Sequence, residues 1–440
     1  PFQANRSYLA SRVSETLGLL YADHFPYRQF ASARGVRRSP IHHLLAAEGA
    51  CFGEVAGWER ANWFLPEAAR KAGKAAVYEY SWQRQNWFDY SAHEHMAVRR
   101  SVGMFDMSSF GKIQLVGRDA EAVLQRIASN DVAVPVGKIV YTQFLNEAGH
   151  IEADVTITRL SEDAFLIITP AATIRRDMHW INGHIPDGAH AIAMDVTASE
   201  AVFVIMGPQA RDFLQPLIPQ SLANADFPFG TMQTIEIGHA LARAHRVTYV
   251  GELGWEIYVS ADMAAHVFEV IAERAKAHPM VFCGLHALDS CRIEKGFRHF
   301  GHDISNEDHV LEAGLGFAVK EQKLAGKFGG MIGADAVKAK RNDGLSQRLL
   351  QFRLKDQDPL LYHNETIIRD GEIAGFLTSG NYGHHLGGAI GLGYVKCNIT
   401  GETVEDQLRS NYQIDVAGRL FDAEVSLRPL YDPKGINVKK

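Results

Sequence analysis

The chain has 440 residues, 46% hydrophobic and 22% charged, with 45 basic against 51 acidic side chains and a net charge of −6. That length exceeds one ordinary domain and sets two to three units as the expectation. No apolar run is long enough to span a bilayer, and the acidic balance gives no bulk attraction for nucleic acid or anionic lipid.

Four cysteines (Cys51, Cys283, Cys291, Cys397) form no C-x-x-C pair and no disulfide framework. They suit a reducing compartment: the cytoplasm, or the mitochondrial matrix in a eukaryote. Cys283 and Cys291 lie two helical turns apart, as buried thiols on one face would. The opening residues PFQANRSYLASRV read as neither secretory signal nor transit peptide and lack a methionine, as expected of a processed subunit or a piece of something longer.

Residues 1–88 stand apart from the rest. Four of the six tryptophans (Trp58, Trp63, Trp82, Trp87) follow the basic cluster ARGVRRSP, which suggests a compact docking segment or a small aromatic-packed subdomain. From 89 to 335 helices and strands mix. DAEAVLQRIASND and AAHVFEVIAERAKA are amphipathic helices, and a helical run recurs in PQARDFL. ADVTITRL and DAFLIITPA are strands joined at Ser161-Glu162-Asp163. Strands beside strands favour α+β over a doubly wound parallel sheet. After the glycine-punctuated helix GGMIGADAVKAKRNDGLSQ, residues 345–435 carry short strands with glycine turns, including a hairpin at Arg369 to Glu372. That pattern predicts a small all-β barrel or sandwich.

Several chemistries find no support. No G-x-x-x-x-G-K-[ST], G-x-G-x-x-G or G-x-S-x-G motif is present, and no histidine pair has carboxylate or thiol partners at a metal-binding spacing. What remains is a set of carboxylates in strands. In NEAGHIEADVTITR, Asp154 shares a face with Thr156 and Glu152. In RVTYVGELGWEIYV, which reads as a hairpin turning at Gly251 and Gly254, Glu256 shares a face with Tyr258, with Tyr249 seven residues before. Such carboxylates need a partner. It is either a structural cation, with Arg159, Arg243 and Arg292 the candidates, or a ligand.

Three segments resemble, in order, motifs of the folate-dependent aminomethyltransferase family founded by the glycine cleavage T-protein: GHIEADVTITR, TYVGELGWEIY and LDSCRIEKGFRHFGHDI…LEAGLGFAVK. The resemblance covers residues 89–435. It implies a three-domain cloverleaf of two folate-binding subdomains (89–335) and a C-terminal β-barrel (345–435). Residues 33–64 resemble the connector of dimethylglycine and sarcosine dehydrogenases. Segment 1–88 then becomes a remnant of a flavin oxidoreductase half, with FAD supplied only by a missing half or a partner subunit.

By that resemblance Glu256 grips the pterin N–H and amino group of tetrahydrofolate. Tyr141, Thr156, Ile168, Tyr249, Ile257 and Tyr258 line the pocket, and Asp154 is the catalytic acid beside the reactive nitrogens. The glycines would admit a flat ring against the backbone. The expected activity is capture of the iminium product of N-methyl amine oxidation as methylenetetrahydrofolate, with folate and the methylated amine as small-molecule partners. Rival readings are a stand-alone aminomethyltransferase or demethylase, against which segment 1–88 argues, and a non-catalytic folate-binding protein, whose cysteine motif is missing from EKGFRHFGHDI. Leu288 replaces a family arginine, Arg292 is expected in a structural salt bridge, and His150 has no evident role.

Overall fold

The computed structural model describes residues 4–397 and 402–440. A helix over Arg6–Leu19 buries no residue and is fastened by Arg12, whose Nη1 lies 2.6 Å from Glu54. Glu54 belongs to an antiparallel ribbon of β1 (Ala50–Val55) and β2 (Trp58–Phe64). Ile41, Leu45, Ala50, Ala61 and Phe64 enter the core of the large sheet described below, while Trp63 and Trp87 pack with Cys51 and Leu65. The aromatic segment is thus built onto the following domain.

After a helix over Phe88–Arg100 come β3 (Gly103–Asp106), β4 (Gly111–Val116), β5 (Ile139–Leu145), β6 (Ile151–Arg159), β7 (Ala164–Thr169) and β8 (Ile192–Asp195). They are followed by β9 (Glu200–Met206), β10 (Met232–Ile237), β11 (Ala240–His245), β12 (Gly254–Ser260), β13 (Val281–Phe282) and a helix over Leu285–Glu294. Two sheets result, ordered β5-β6-β7-β4-β8 and β10-β11-β12-β9-β3-β13. Each is a three-strand meander laid against a central strand. In each, the central strand leads through a glycine into a helix: β4–Gly117–Ala120–Ile127 and β9–Gly207–Ala210–Leu214. Both glycines have positive φ, and a Cβ would meet a carbonyl oxygen at 2.0 Å (His190) or 2.2 Å (Ser101), so only glycine fits. The pairing is antiparallel except between β3 and β13, as the α+β reading expects.

A helix over Ala334–Asp343 leads to β14 (Gln347–Leu354), β15 (Thr366–Arg369), β16 (Glu372–Gly383), β17 (Gly388–Lys396), β18 (Tyr412–Val416) and β19 (Arg419–Ser426). They close into a barrel in the order β14-β17-β16-β15-β18-β19, with Leu350, Phe352, Ile367 and Ile414 in its core. Asp370 and Gly371 both have positive φ and pair Arg369 with Glu372, the primed turn that suits a two-residue hairpin.

Three expectations need correction. Residues 246–253 contain no strand, so RVTYVGELGWEIYV is an irregular eight-residue connection followed by β12 rather than a tight hairpin. Cys283 precedes the helix that carries Cys291; both are buried free thiols, but they do not share a helical face. The sequence predicts the second half of β19 (AEVS) but neither β18 nor the turn that joins the two, formed by Ala417 and Gly418 at positive φ.

The units are clamped at a buried cluster. Nε and Nη2 of Arg99 donate to Glu294 at 3.0 Å each, and Nη1 donates to Glu252 at 3.0 Å. Arg99→Met leaves two buried carboxylates short of their cation. It is expected to lower the free energy of unfolding by about 3–5 kcal/mol in urea titrations, whereas Lys71→Ala, at the exposed pair with Glu67, leaves the midpoint unchanged.

Candidate functional site

Strand periodicity assigns each side chain to a face. On β6, Ala153, Val155 and Ile157 enter the core of the five-stranded sheet, so Asp154 and Thr156 point the other way. Cross-strand register extends that outer face. Tyr141 (β5), Thr156 (β6), Ile168 (β7) and Lys112 (β4) stand in one row, with Gln143 and Asp154 in the next. On β12, Trp255, Ile257 and Val259 enter the other core, leaving Glu256 and Tyr258 on the opposite face. Tyr258, Val202, Val204 and Phe105 pack with Ile168, Tyr249 and Phe110 in one cluster. That cluster is the seam where the two sheets face each other.

Asp154, Thr156, Ile168, Tyr249 and Glu256 are half-buried. The two carboxylates are crowded by protein yet still reached by water, which describes a narrow cleft. Asp154 accepts a hydrogen bond from Nε2 of Gln143 at 2.8 Å, and the Tyr141 hydroxyl faces it. Burial pushes the Asp154 carboxyl up to about 6, against the opposing pull of Gln143, Tyr141 and the more distant Arg298. Glu256 accepts from the Tyr258 hydroxyl at 2.7 Å. Burial raises its carboxyl above the usual range, offset in part by Tyr258 and the charge of Lys112.

Neither acid forms an ion pair among the described residues. The arginines considered as structural partners are engaged elsewhere: Arg159 with Glu121 at 2.7 Å, Arg243 with Glu200, and Arg292 with Asp289 at 2.7 Å and Asp303 at 2.5 Å. Arg292 is therefore the structural salt bridge expected. Glu152 leaves the row at a bulge and pairs with Arg176.

The motif residues divide their tasks. Glu252 is buried against Arg99 and Tyr431, away from the cleft, so the two glutamates of GELGWE act separately. The glycines do not lie against a ring. A Cβ at Gly254 would meet the Ile205 carbonyl oxygen at 2.2 Å and one at Gly251 the Lys295 side chain at 2.8 Å, so their cause is close packing within the fold. Ile257 is also corrected: its side chain is 0% exposed in the far core, leaving only its backbone near the cleft. Tyr249 comes from the connection before β12, its hydroxyl donating to the Arg298 carbonyl at 2.8 Å and its ring stacked on Phe297. His150 sits outside the cleft beside His309.

Sequence reasoning missed Lys112, Gln143 and His245. Lys112 is fully buried, with Nζ donating to the carbonyls of Ser108 and Phe110 at 3.0 Å each, and burial lowers it to about 8. His245 stands directly across from Glu256, its ring centroid 4.3 Å from that of Tyr258. A concavity of about 660 Å³ lies elsewhere, against residues 28–80 of the aromatic segment. It contains none of these acids. Among the described residues no cluster of three His, Cys, Asp or Glu is placed to hold a metal, and no helix is long and apolar enough to cross a membrane.

Residues 41–323 match the GCVT N-terminal domain and residues 347–432 the glycine cleavage T-protein C-terminal barrel domain. The chain belongs to the glycine cleavage T-protein family. In addition, residues 1–39 of this T-protein family member match the FAD dependent oxidoreductase central domain. It is 41% identical over 433 residues to the 4-methylaminobutanoate oxidase (formaldehyde-forming) of Paenarthrobacter nicotinovorans, covering 98% of this chain and 50% of that one. It is 31% identical over 466 residues to the mitochondrial sarcosine dehydrogenase of Mus musculus, again covering 98% and 50%. The T-protein-like chain thus spans about half the length of these curated relatives. Its fold matches the crystal structure of glycine cleavage system aminomethyltransferase T from Bartonella henselae, with a TM-score of 0.74, 22% identity, and 91% and 99% of the two chains covered.

An acid whose folded value is about 6, against an ordinary 3.8, makes the folded state bind a proton more tightly than the unfolded one. Its ionisation therefore costs stability, fully above about pH 6 and not at all below 3.8. Asp154→Asn is expected to raise stability at pH 8 by on the order of 1–3 kcal/mol and to leave it unchanged at pH 3.5. Thermal unfolding at the two pH values checks the difference.

Proposed function

We propose that this chain is the tetrahydrofolate-binding, one-carbon-transfer part of an enzyme that oxidises N-methyl amines, with Glu256 as the pterin anchor and Asp154 as the catalytic base. The observation that carries the reading is that Asp154 and Glu256 both project from the seam-facing sides of their sheets, half-buried and without an ion pair among the described residues. An acid at such a position favours a ligand that brings its own donors. The pterin edge presents an N–H beside an amino group, and a carboxylate accepts both in a bidentate contact. Tyr258 holds one Glu256 oxygen in place. Ile168 and Thr156, with the Tyr141 and Tyr249 rings, flank the space in which a flat bicycle would lie.

Oxidation of an N-methyl group to the iminium is chemistry that FAD supplies, held by a flavin half or a flavoprotein partner. The match of residues 1–39 and the half-length coverage of oxidase and dehydrogenase relatives support such an attachment. When a folate nitrogen bonds to the iminium carbon, that nitrogen must lose its proton. Asp154 takes it, poised for the task because burial has raised its affinity for protons toward the working pH. The Asp154 proton passes to the amine nitrogen as the second folate nitrogen attacks, the carbon–amine bond breaks and the methylene bridge closes. The restored carboxylate then takes the proton of that second nitrogen and releases it to water, so the positive charge of the iminium leaves as one proton.

Calorimetric titration with tetrahydrofolate tests the anchor. Glu256→Gln is expected to weaken binding at least tenfold, because the amide cannot accept both donors, while Asp154→Asn binds like the parent. In single-turnover mixing of the tetrahydrofolate-loaded protein with formaldehyde and the amine, the parent rate climbs with pH through about 6 and then levels, and Asp154→Asn shows no such rise. Identical tetrahydrofolate affinity in Glu256→Gln and the parent would remove the basis of the assignment.

A further inference from the structure

The ribbon contributes one residue that the folate reading leaves unused. Arg60 lies on β2, and among the described residues it forms no ion pair and no side-chain hydrogen bond; its Nε is buried without a partner. The neighbouring arginines differ. Arg34 is bound to Glu59, Arg12 to Glu54, and Arg99 and Arg292 each have two acids. The Arg60 guanidinium stands 6.0 Å from the centre of the Phe110 ring. Phe110 packs in the seam with Ile168, Tyr249 and Tyr258, and its carbonyl holds Lys112. Arg60 therefore reaches from the aromatic segment to the wall of the cleft.

The acids nearest to it are not free to neutralise it. Asp106 accepts from Ser108, and Asp289 is taken by Arg292 and Asn381; both act on Arg60 only as distant charges. Burial lowers Arg60 to about 10, still well above neutrality, so it remains a cation in a crowded, partly dry position. A half-buried guanidinium whose Nε has no partner is left with an unmet donor, and its planar fork of N–H groups matches a carboxylate.

Resting on the folate reading of the cleft, we propose that Arg60 is a receptor for a substrate carboxylate. Two sources share that chemistry: the glutamyl tail of the folate and the acid group of an N-methyl amino acid. The segment joining the chain to its flavin-related residues thereby supplies part of the folate site's specificity.

Calorimetric titration of the parent, Arg60→Met and Arg60→Lys with tetrahydrofolate, 6-methyltetrahydropterin (which lacks the aminobenzoyl-glutamate portion and carries no carboxylate), N-methylglycine and dimethylamine separates the cases. The expected result is a loss of about tenfold or more in Arg60→Met for a carboxylate-bearing ligand only, with partial recovery in Arg60→Lys. Loss for tetrahydrofolate but not 6-methyltetrahydropterin assigns the tail. Loss for N-methylglycine with tetrahydrofolate unchanged assigns the amino acid. Equal affinities in parent and Arg60→Met overturn the proposal, and so does a uniform loss that includes 6-methyltetrahydropterin, which marks a structural role. If the parent binds neither pteridine, the folate reading falls and this inference with it.

Discussion

Arg99 occupies the point at which the helix over Phe88–Arg100, the connection before β12, the helix over Leu285–Glu294 and the barrel meet. It leaves the helix over Phe88–Arg100 and donates to Glu294 at the end of the helix over Leu285–Glu294, to Glu252 and the Val250 carbonyl in the connection before β12, and to the Cys291 carbonyl. Glu294 in turn accepts from the backbone N–H groups of His385 and Leu386 in the barrel at 3.0 and 3.1 Å. Burial alone would push the Glu294 carboxyl up, yet His95 and Arg99 pull it down to about 2. A cation with this many fixed acceptors imposes one geometry on the elements that carry them. The connection ending at Gly254 has no strand pairing of its own, so this clamp is what sets the position from which β12 departs and Glu256 projects.

Against that background the cleft acids stand out by contrast. The same fold that surrounds Glu294 with donors leaves Asp154 with one amide and the Tyr141 phenol, and Glu256 with one phenol. Both sets are desolvated, and only one set is neutralised. The difference is one of placement: Glu294 lies where three elements converge, whereas Asp154 and Glu256 project from sheet faces into the seam between two repeated units. A face that opens onto a seam meets no third element that brings a cation into contact, and Lys112 and Arg298 act on these acids only through space. On the proposed reading, that unmet demand is what lets the seam select a ligand carrying donors.

How much of this could be read from the sequence follows the same division. Alternation along β6 and β12 is local, so the faces of Asp154, Thr156, Glu256 and Tyr258 were legible from spacing two. That rule also excludes Ile257, which sits between two cleft residues and therefore points into the core; a family resemblance carried it further than its parity allows. Lys112, Gln143 and Arg60 were not legible, because each enters through strand pairing or packing between positions far apart in the chain. Gly251 and Gly254 show the limit from the other side. Their need for small size was visible, but what fills the space beside them, Lys295 and the Ile205 carbonyl, belongs to tertiary contacts. The barrel was legible from its glycine turns, except where Ala417 takes the left-handed conformation usually left to glycine or asparagine.

The repeated sheet order offers a reason for the asymmetry of the site. Both units use a meander against a central strand and a glycine-to-helix turn, so their seam faces are framed alike. The side chains placed on those frames are not alike. On the first unit the middle strand β6 presents Asp154, and on the second the last strand of the meander, β12, presents Glu256. On the proposed reading, a ligand lying across the seam meets two inequivalent acids, one for fixed recognition and one for moving a proton. Their surroundings differ accordingly: the rise that burial imposes is offset at Glu256 by Tyr258 and the charge of Lys112, and at Asp154 by Gln143, Tyr141 and the charge of Arg298. Two copies of one scaffold thus present two acids in unlike settings, because the side chains on their seam faces differ.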